Sequence, residues 1–243
     1  MQKNIFIAGD WGTSNLRLYL CEWSAEAGEK TLDICYGNGI TKLDHSFSDT
    51  FFSLTNSWFN EHGSMPVILS GMVGSNIGWR EAPYLECPIS INDIVDGRLS
   101  FIERDIEFSI LPGLKTLNPL GLPDIMRGEE LQILGWSQLN SNSSMNRQLF
   151  LLPGTHNKWV EVAGGQVQNF LTAFTGELYS LLINHSVLIA EPVQADLDQK
   201  SFRRGVNTIK NLRGAHIPHA LFSTRSLQAV SYTHLTLPTT PYV

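Results

Sequence analysis

The stretch Gly9-Asp10-Trp11-Gly12-Thr13-Ser14-Asn15 limits what this 243-residue chain can fold into more than any other. Before it, Asn4-Ile5-Phe6-Ile7-Ala8 is a short apolar run of the kind that forms a buried strand. After it, Leu16, Leu18 and Leu20 alternate with Arg17, Tyr19 and Cys21, the period-two pattern of a second strand. A tight glycine-containing turn between paired strands points several backbone N–H groups into one concavity, which suits phosphate oxygens. Asp10 at the strand end offers a carboxylate for a phosphate-bound Mg²⁺, a hard cation that prefers oxygen. Thr13 and Ser14 add hydroxyls. Taken alone, the same residues are ordinary turn formers.

Repetition changes the weight of the motif. Gln148-Leu149-Phe150-Leu151-Leu152 is a second apolar run, entering Pro153-Gly154-Thr155-His156-Asn157-Lys158. Trp159, Val160 and Val162 then begin a strand, Ala163-Gly164-Gly165 turns it, and Val167, Phe170 and Leu171 return it. Glu177 to Ile183 follows with apolar residues at helical spacing. The first half has the same order, with a third strand near Thr31–Tyr36 and a helix near Ser48–Phe59. Two diverged copies of strand, phosphate turn, strand, strand and helix predict two similar lobes facing one cleft.

Length and composition agree with this. The chain is long enough for one large domain or two smaller ones, and 42% hydrophobic with 16% charged residues excludes a disordered chain. A net charge of −6, without a dense Lys/Arg run, argues against a nucleic-acid surface. Cys21, Cys35 and Cys87 are too few and too scattered for a disulfide framework or a zinc site. The N-terminus reads as a strand rather than a signal peptide, and no apolar stretch is long enough for a membrane helix. A cytoplasmic location is expected.

Between the two turns lie three further segments. Phe51, Phe52, Leu54, Thr55, Trp58 and Phe59 give one helical apolar face, read as core. Pro66-Val67-Ile68-Leu69 is a buried strand running into Ser70-Gly71-Met72-Val73-Gly74-Ser75-Asn76, where open α/β sheets bind ligands beyond their strand ends. Ser70, Ser75 and Asn76 offer hydrogen bonds to a polyhydroxy substrate, Trp79 a flat wall for a sugar face, and Arg80 a carboxylate partner; the alternative is a loop with a core tryptophan. Short strands are expected between Pro88 and Gly113. In Pro123-Asp124-Ile125-Met126-Arg127-Gly128-Glu129-Glu130, the acidic pair suits a first helical turn. The cluster also holds the carboxylates and guanidinium that phosphoryl transfer uses.

These segments, in order, carry a resemblance. Asp10-Trp11-Gly12-Thr13-Ser14, Gly71-Met72-Val73-Gly74-Ser75 with Gly78-Trp79 and Glu81-Ala82-Pro83-Tyr84, Met126-Arg127-Gly128-Glu129-Glu130, Pro153 to Trp159 and Thr175-Gly176-Glu177-Leu178 together resemble the 2-dehydro-3-deoxygalactonokinase family of the actin/hexokinase/Hsp70 superfamily. The resemblance implies an α/β fold of two ribonuclease-H-like lobes around a central cleft. The implied activity is ATP- and Mg²⁺-dependent phosphorylation of the 6-hydroxyl of 2-dehydro-3-deoxy-D-galactonate in galactonate breakdown. A kinase or phosphoanhydride hydrolase of the same fold with another substrate, or a sugar-acid sensor, are the alternatives.

Carried onto this chain, the resemblance implies Asp10 for the metal, with Gly12, Thr13 and Ser14 on the β- and γ-phosphates. Gly154, Thr155 and His156 form an opposing phosphate turn, with Lys158 near the anionic groups. Ser70, Gly71, Met72, Gly74, Ser75 and Trp79 line the sugar-acid pocket. Asp124 or Glu129 orients the 6-hydroxyl, and Arg127 pairs with the substrate carboxylate. The expected partners are the sugar acid and ATP. The expected lobes are 1–125 and 126–229. From Val230, Val-Ser-Tyr-Thr-His-Leu-Thr-Leu-Pro-Thr resembles a translated sequencing adapter, so 230–243 is read as a weakly ordered, non-native tail. The second lobe is then shorter than in the family and lacks the segment that holds adenosine.

Overall fold

The computed structural model describes residues 4–140, 147–188, 198–212 and 216–236, with 228–236 described by backbone alone. The chain forms two compact units, one of Met1–Pro153 with Asn157–Ala173, the other of Gly154–His156 with Phe174–Val243.

The first unit is built on β1 (Asn4–Trp11), β2 (Asn15–Ser24), β3 (Gly28–Asn38), α1 (Phe47–His62) and β4 (Val67–Ser70). It continues through β5 (Tyr84–Glu86), α2 (Ile91–Asp96), β6 (Leu99–Glu103), β7 (Ile106–Ile110), β8 (Gly113–Leu117), β9 (Pro123–Met126) and α3 (Glu129–Leu139). The main sheet has the order β3-β2-β1-β4-β7-β6. β1, β4 and β7 are parallel, while β2, β3 and β6 join antiparallel. An antiparallel meander continued by parallel strands on the far side of β1 is the ribonuclease-H-like arrangement.

Strand alternation assigns the faces. Ile7, Trp11, Leu16, Leu18, Val67, Leu69, Phe108 and Ile110 meet Phe51, Phe52 and Trp58 of α1 in one core. Each large apolar side chain fully buried there contributes roughly 1.5–3 kcal/mol. Ser46 caps α1 by accepting the Asp49 N–H at 3.0 Å, and the Trp58 indole donates to Asp33 Oδ2 at 2.8 Å, tying the helix to β3.

β5-β8-β9 form a second sheet, and β10 (Gln148–Leu152), β11 (His156–Ala163) and β12 (Gln166–Phe174) a third. A second core of Ile94, Leu114, Met126, Ile133, Leu134, Val160, Val162, Val167 and Phe170 joins them. The lobe division expected at 125/126 falls within β9. Of the short strands expected between Pro88 and Gly113, β6 and β7 form as such, while Ile91–Asp96 is α2 instead, because Ser90 and Asp93 make a reciprocal capping box.

The other unit contains α4 (Gly176–His185), α5 (Gln199–Asn211) and α6 (Ile217–Thr236). The backbone of 230–236 continues α6 and so differs from the weakly ordered tail expected there; 237–243 lie outside the described residues. The Ser/Asn-rich stretch 137–147, whose composition reads as an exposed loop or linker, is helical to Leu139, and 141–146 lie outside the described residues.

Candidate active site

Parallel pairing of β1 with β4 puts Asp10 in register with Ser70, so the turns that follow both strands leave the sheet at the same edge. In the first turn, Gly12 O accepts from Ile40 N at 3.0 Å, and Thr13 O from Thr41 N at 3.2 Å and Thr41 Oγ1 at 2.8 Å. The Gly12 N–H is itself taken by Asn15 O at 2.9 Å across the hairpin, while Thr13 and Ser14 are exposed.

Asp10 is half-exposed, and burial raises its pKa above the ordinary carboxylate value, opposed by the charge of Arg17. Arg17 Nη1 lies 3.8 Å from Asp10 Oδ2. The sequence reading missed Arg17; the signal was available, since antiparallel pairing across a tight turn sets Asp10 opposite Arg17 on one face. Asp10 and Ser70 border an otherwise largely apolar cavity of about 190 Å³, whose wall includes Tyr19, Ile68, Leu111 and Leu131.

Gly71 is the joint of the site. Its φ of +89° is open to glycine at no steric cost. A methyl group there would stand 3.0 Å from Trp11 O and 3.2 Å from Asp10 Oδ1. Gly128, with φ +108°, backs onto it, and a methyl group on Gly128 would stand 3.4 Å from the Gly71 Cα. The ends of β1, β4 and β9 therefore meet, and Asp10, Gly71 and the Arg127-Gly128-Glu129 corner are neighbours. Glu129 Oε2 accepts the Arg127 N–H at 3.2 Å. Glu130 is fully buried, accepts the Gly128 N–H at 2.8 and 2.7 Å, and is pushed up to about 8 by desolvation.

The other expected site residues fall differently. Asp124 has both oxygens engaged: Oδ1 accepts from Thr172 Oγ1 at 2.6 Å and Ile125 N at 2.9 Å, and Oδ2 from Thr172 N at 2.7 Å and Asn118 Nδ2 at 3.4 Å. Lys158, expected among phosphates, is 6% exposed and donates to Ile125 O at 2.7 Å and Thr172 Oγ1 at 2.8 Å. The Trp79 ring, expected as a sugar wall, contacts Trp11, Phe47, Phe51, Phe101 and Phe108 and packs against the main core.

Arg127 lies over the Tyr84 ring at 4.2 Å and donates through Nη2 to Ala82 O at 2.8 Å. Its Nη1 abuts Gly74, and Nε and Nη1 are shielded from solvent without hydrogen-bond partners. The hydroxyls of Ser70 and Ser75 also turn inward, to Gly9 O at 3.2 Å and Met72 O at 2.7 Å, while Met72 is half-buried and Asn76 is exposed.

The turn at Gly154, Thr155 and His156 belongs to the other unit and is exposed. Thr155 O accepts the Glu177 N–H at 3.0 Å, and the His156 ring stacks on Phe174 with Nε2 2.6 Å from Glu177 Oε2. The start of α4 thereby braces this turn.

A ribonuclease-H-like sheet with a carboxylate at the end of β1, followed by a glycine-threonine turn, is the arrangement of the actin-like ATPase fold. The family profile described as 2-keto-3-deoxy-galactonokinase matches residues 10–235, and the chain belongs to that family. The match runs to residue 235, into the stretch from Val230 that was read as a non-native tail. The chain is 36% identical over 209 residues to the 2-dehydro-3-deoxygalactonokinase of Escherichia coli (strain K12), covering 84% of this chain and 66% of that protein. A Rhizobium meliloti (strain 1021) protein named for the same activity is 32% identical over 191 residues, covering 79% and 60%. The chain thus spans less than two thirds of the length of these relatives. A crystal structure from Sinorhizobium meliloti carrying the same kinase name superposes with a TM-score of 0.65 at 26% identity, covering 96% of this chain and 81% of that one. Among the described residues, no helix is long and apolar enough to cross a membrane.

Proposed function

We propose that this chain belongs to a cytoplasmic kinase that transfers the γ-phosphoryl group of ATP to the 6-hydroxyl of 2-dehydro-3-deoxy-D-galactonate. The reading is carried by the meeting of Asp10, Gly71 and the Gly128–Glu129 corner at one edge of the sheet. Its support in sequence is the named activity of the relatives.

Each residue has a chemical part. Glu129 accepts the proton of the 6-hydroxyl as oxygen attacks phosphorus, a role for which its Oε1 has no hydrogen-bond partner among the described residues. The filled acceptors of Asp124, which tie β9 to β12, favour Glu129 over Asp124 for that role. The exposed Thr13 and Ser14 of the turn, with Gly12 beside them, receive phosphate oxygens, and Arg17 lies beside Asp10 where charge develops. Gly154, Thr155 and His156 are proposed to contact phosphate as well.

The residues fit a Mg²⁺ held largely by water: Asp10 is a half-exposed carboxylate, and no cluster of three or more ligating side chains exists among the described residues. When bound, such an ion neutralises charge on the transferring phosphoryl group. Gly71 and Met72 are proposed to face the sugar acid.

The test is ADP release with MgATP, with and without the sugar acid, for wild type, Glu129→Gln and Asp124→Asn. Release that depends on the sugar acid and falls ~10²–10⁴-fold in kcat for Glu129→Gln supports the reading. Release without sugar acid, or an Asp124→Asn loss as large with Glu129→Gln unaffected, would sink it.

A further inference from the structure

β9 is an edge strand, paired with β8 alone. The side that carries no neighbouring strand is held by side chains instead. Lys158 of β11 reaches the Ile125 carbonyl, and Asp124 of β9 accepts both the N–H and the hydroxyl of Thr172 in β12. Thr172 Oγ1 links the two contacts, accepting from Lys158 and donating to Asp124. We infer that Lys158 is a positioning residue for phosphoryl transfer, anchoring the end of β9 and so setting where Gly128 and Glu129 stand against the Gly71 turn.

The inference rests on the reading of Glu129 as the carboxylate that orients the hydroxyl. The geometry carries it in three steps. The ammonium is buried and its hydrogen bonds go to main chain and threonine, so it is removed from direct contact with phosphate. Its bonds end on Ile125, one residue before Met126, whose main chain leads directly into the Arg127-Gly128-Glu129 corner. That corner keeps Gly128 against Gly71, where a methyl group on Gly128 would already be in van der Waals contact with the Gly71 Cα. A displacement of even 1 Å of a reacting group can cost about 100-fold in rate. Burial pushes the Lys158 pKa below its ordinary value, opposed chiefly by the charges of Glu129 and Asp124.

The test compares Lys158→Met, Thr172→Val and Thr172→Ser with wild type. Steady-state kinetics with MgATP and sugar acid are run beside amide hydrogen exchange across 123–129. Expected for Lys158→Met are a kcat lower by about tenfold or more, a KM for MgATP within about twofold of wild type, and faster exchange over 123–129. Thr172→Val shifts the same readouts in the same direction, and Thr172→Ser, which restores the hydroxyl, recovers them. If Lys158→Met does not fold, the Val/Ser pair at Thr172 decides by the same readouts. A folded Lys158→Met with wild-type kcat, or exchange over 123–129 unchanged, overturns the inference. Wild type without sugar-acid-dependent turnover defeats the kinase reading, and with it the role in transfer, while the exchange data still decide whether Lys158 anchors β9.

Discussion

Replacing Glu130 by glutamine should remove most of one pH dependence from the stability of the first unit. Burial lifts this carboxyl from the ordinary 4.5 to about 8. Between those values the folded chain holds a proton that the unfolded chain releases, so stability falls as pH rises through the window. The slope is about 1.4 kcal/mol per pH unit, and about 4 kcal/mol accumulates from pH 5 to pH 8. Below the window both states are protonated, and above it both are ionised, so the dependence is confined to it. Glutamine does not titrate, yet its carbonyl can still accept the Gly128 N–H. The wild-type stability minus that of Glu130→Gln should therefore drop by about 4 kcal/mol between pH 5 and pH 8. Urea unfolding followed by tryptophan fluorescence suits the measurement, because all six tryptophans lie between Trp11 and Trp159, within the first unit. A difference that stays flat across the range would refute the reasoning. It would mean that the Gly128 N–H and the start of α3 hold the carboxylate ionised in spite of its burial.

Trp79→Leu should cost ~2–5 kcal/mol in the same unfolding assay, as for large-to-small core changes, while the KM for the sugar acid stays within about twofold of wild type; a large KM increase with little loss of stability would restore the tryptophan as a sugar wall. Gly71→Ala should cost ~1–3 kcal/mol from its left-handed backbone and lower kcat by pressing on Asp10 and Trp11. A variant as stable and active as wild type would show that the joint between the turns is loose.

The sequence revealed the strands flanking both turns, α1, the Ser70–Ser75 loop and the order strand, turn, strand, strand, helix, because each is written in local periodicity and turn chemistry. α2 was hidden by its brevity: one turn and a half of helix has little periodicity, and its signal lay in the Ser90–Asp93 cap. The roles of Trp79, Lys158 and Asp124 depend on what surrounds them, which no spacing records. A lysine in a phosphate-type turn and a lysine bridging β11 to β9 have the same sequence; only the Ile125 carbonyl at 2.7 Å separates them. Arg17 was legible in principle, since hairpin register fixes its partner, but its partner gained meaning only once Asp10 was seen at the edge of the cavity.

The pairing of Asp10 with Ser70 has a consequence for how the protein comes into being. The two turns it aligns are separated by α1 and most of the first meander, so neither can report its partner's position until β4 has docked beside β1. Long-range parallel pairing of this kind is among the slower events in folding. A growing chain carries both glycine turns long before it carries a site, and phosphate or sugar-acid binding should appear only as the central sheet closes. On the kinase reading proposed above, a ligand would recognise a completed pairing, and its binding would stabilise that pairing against the open sheet.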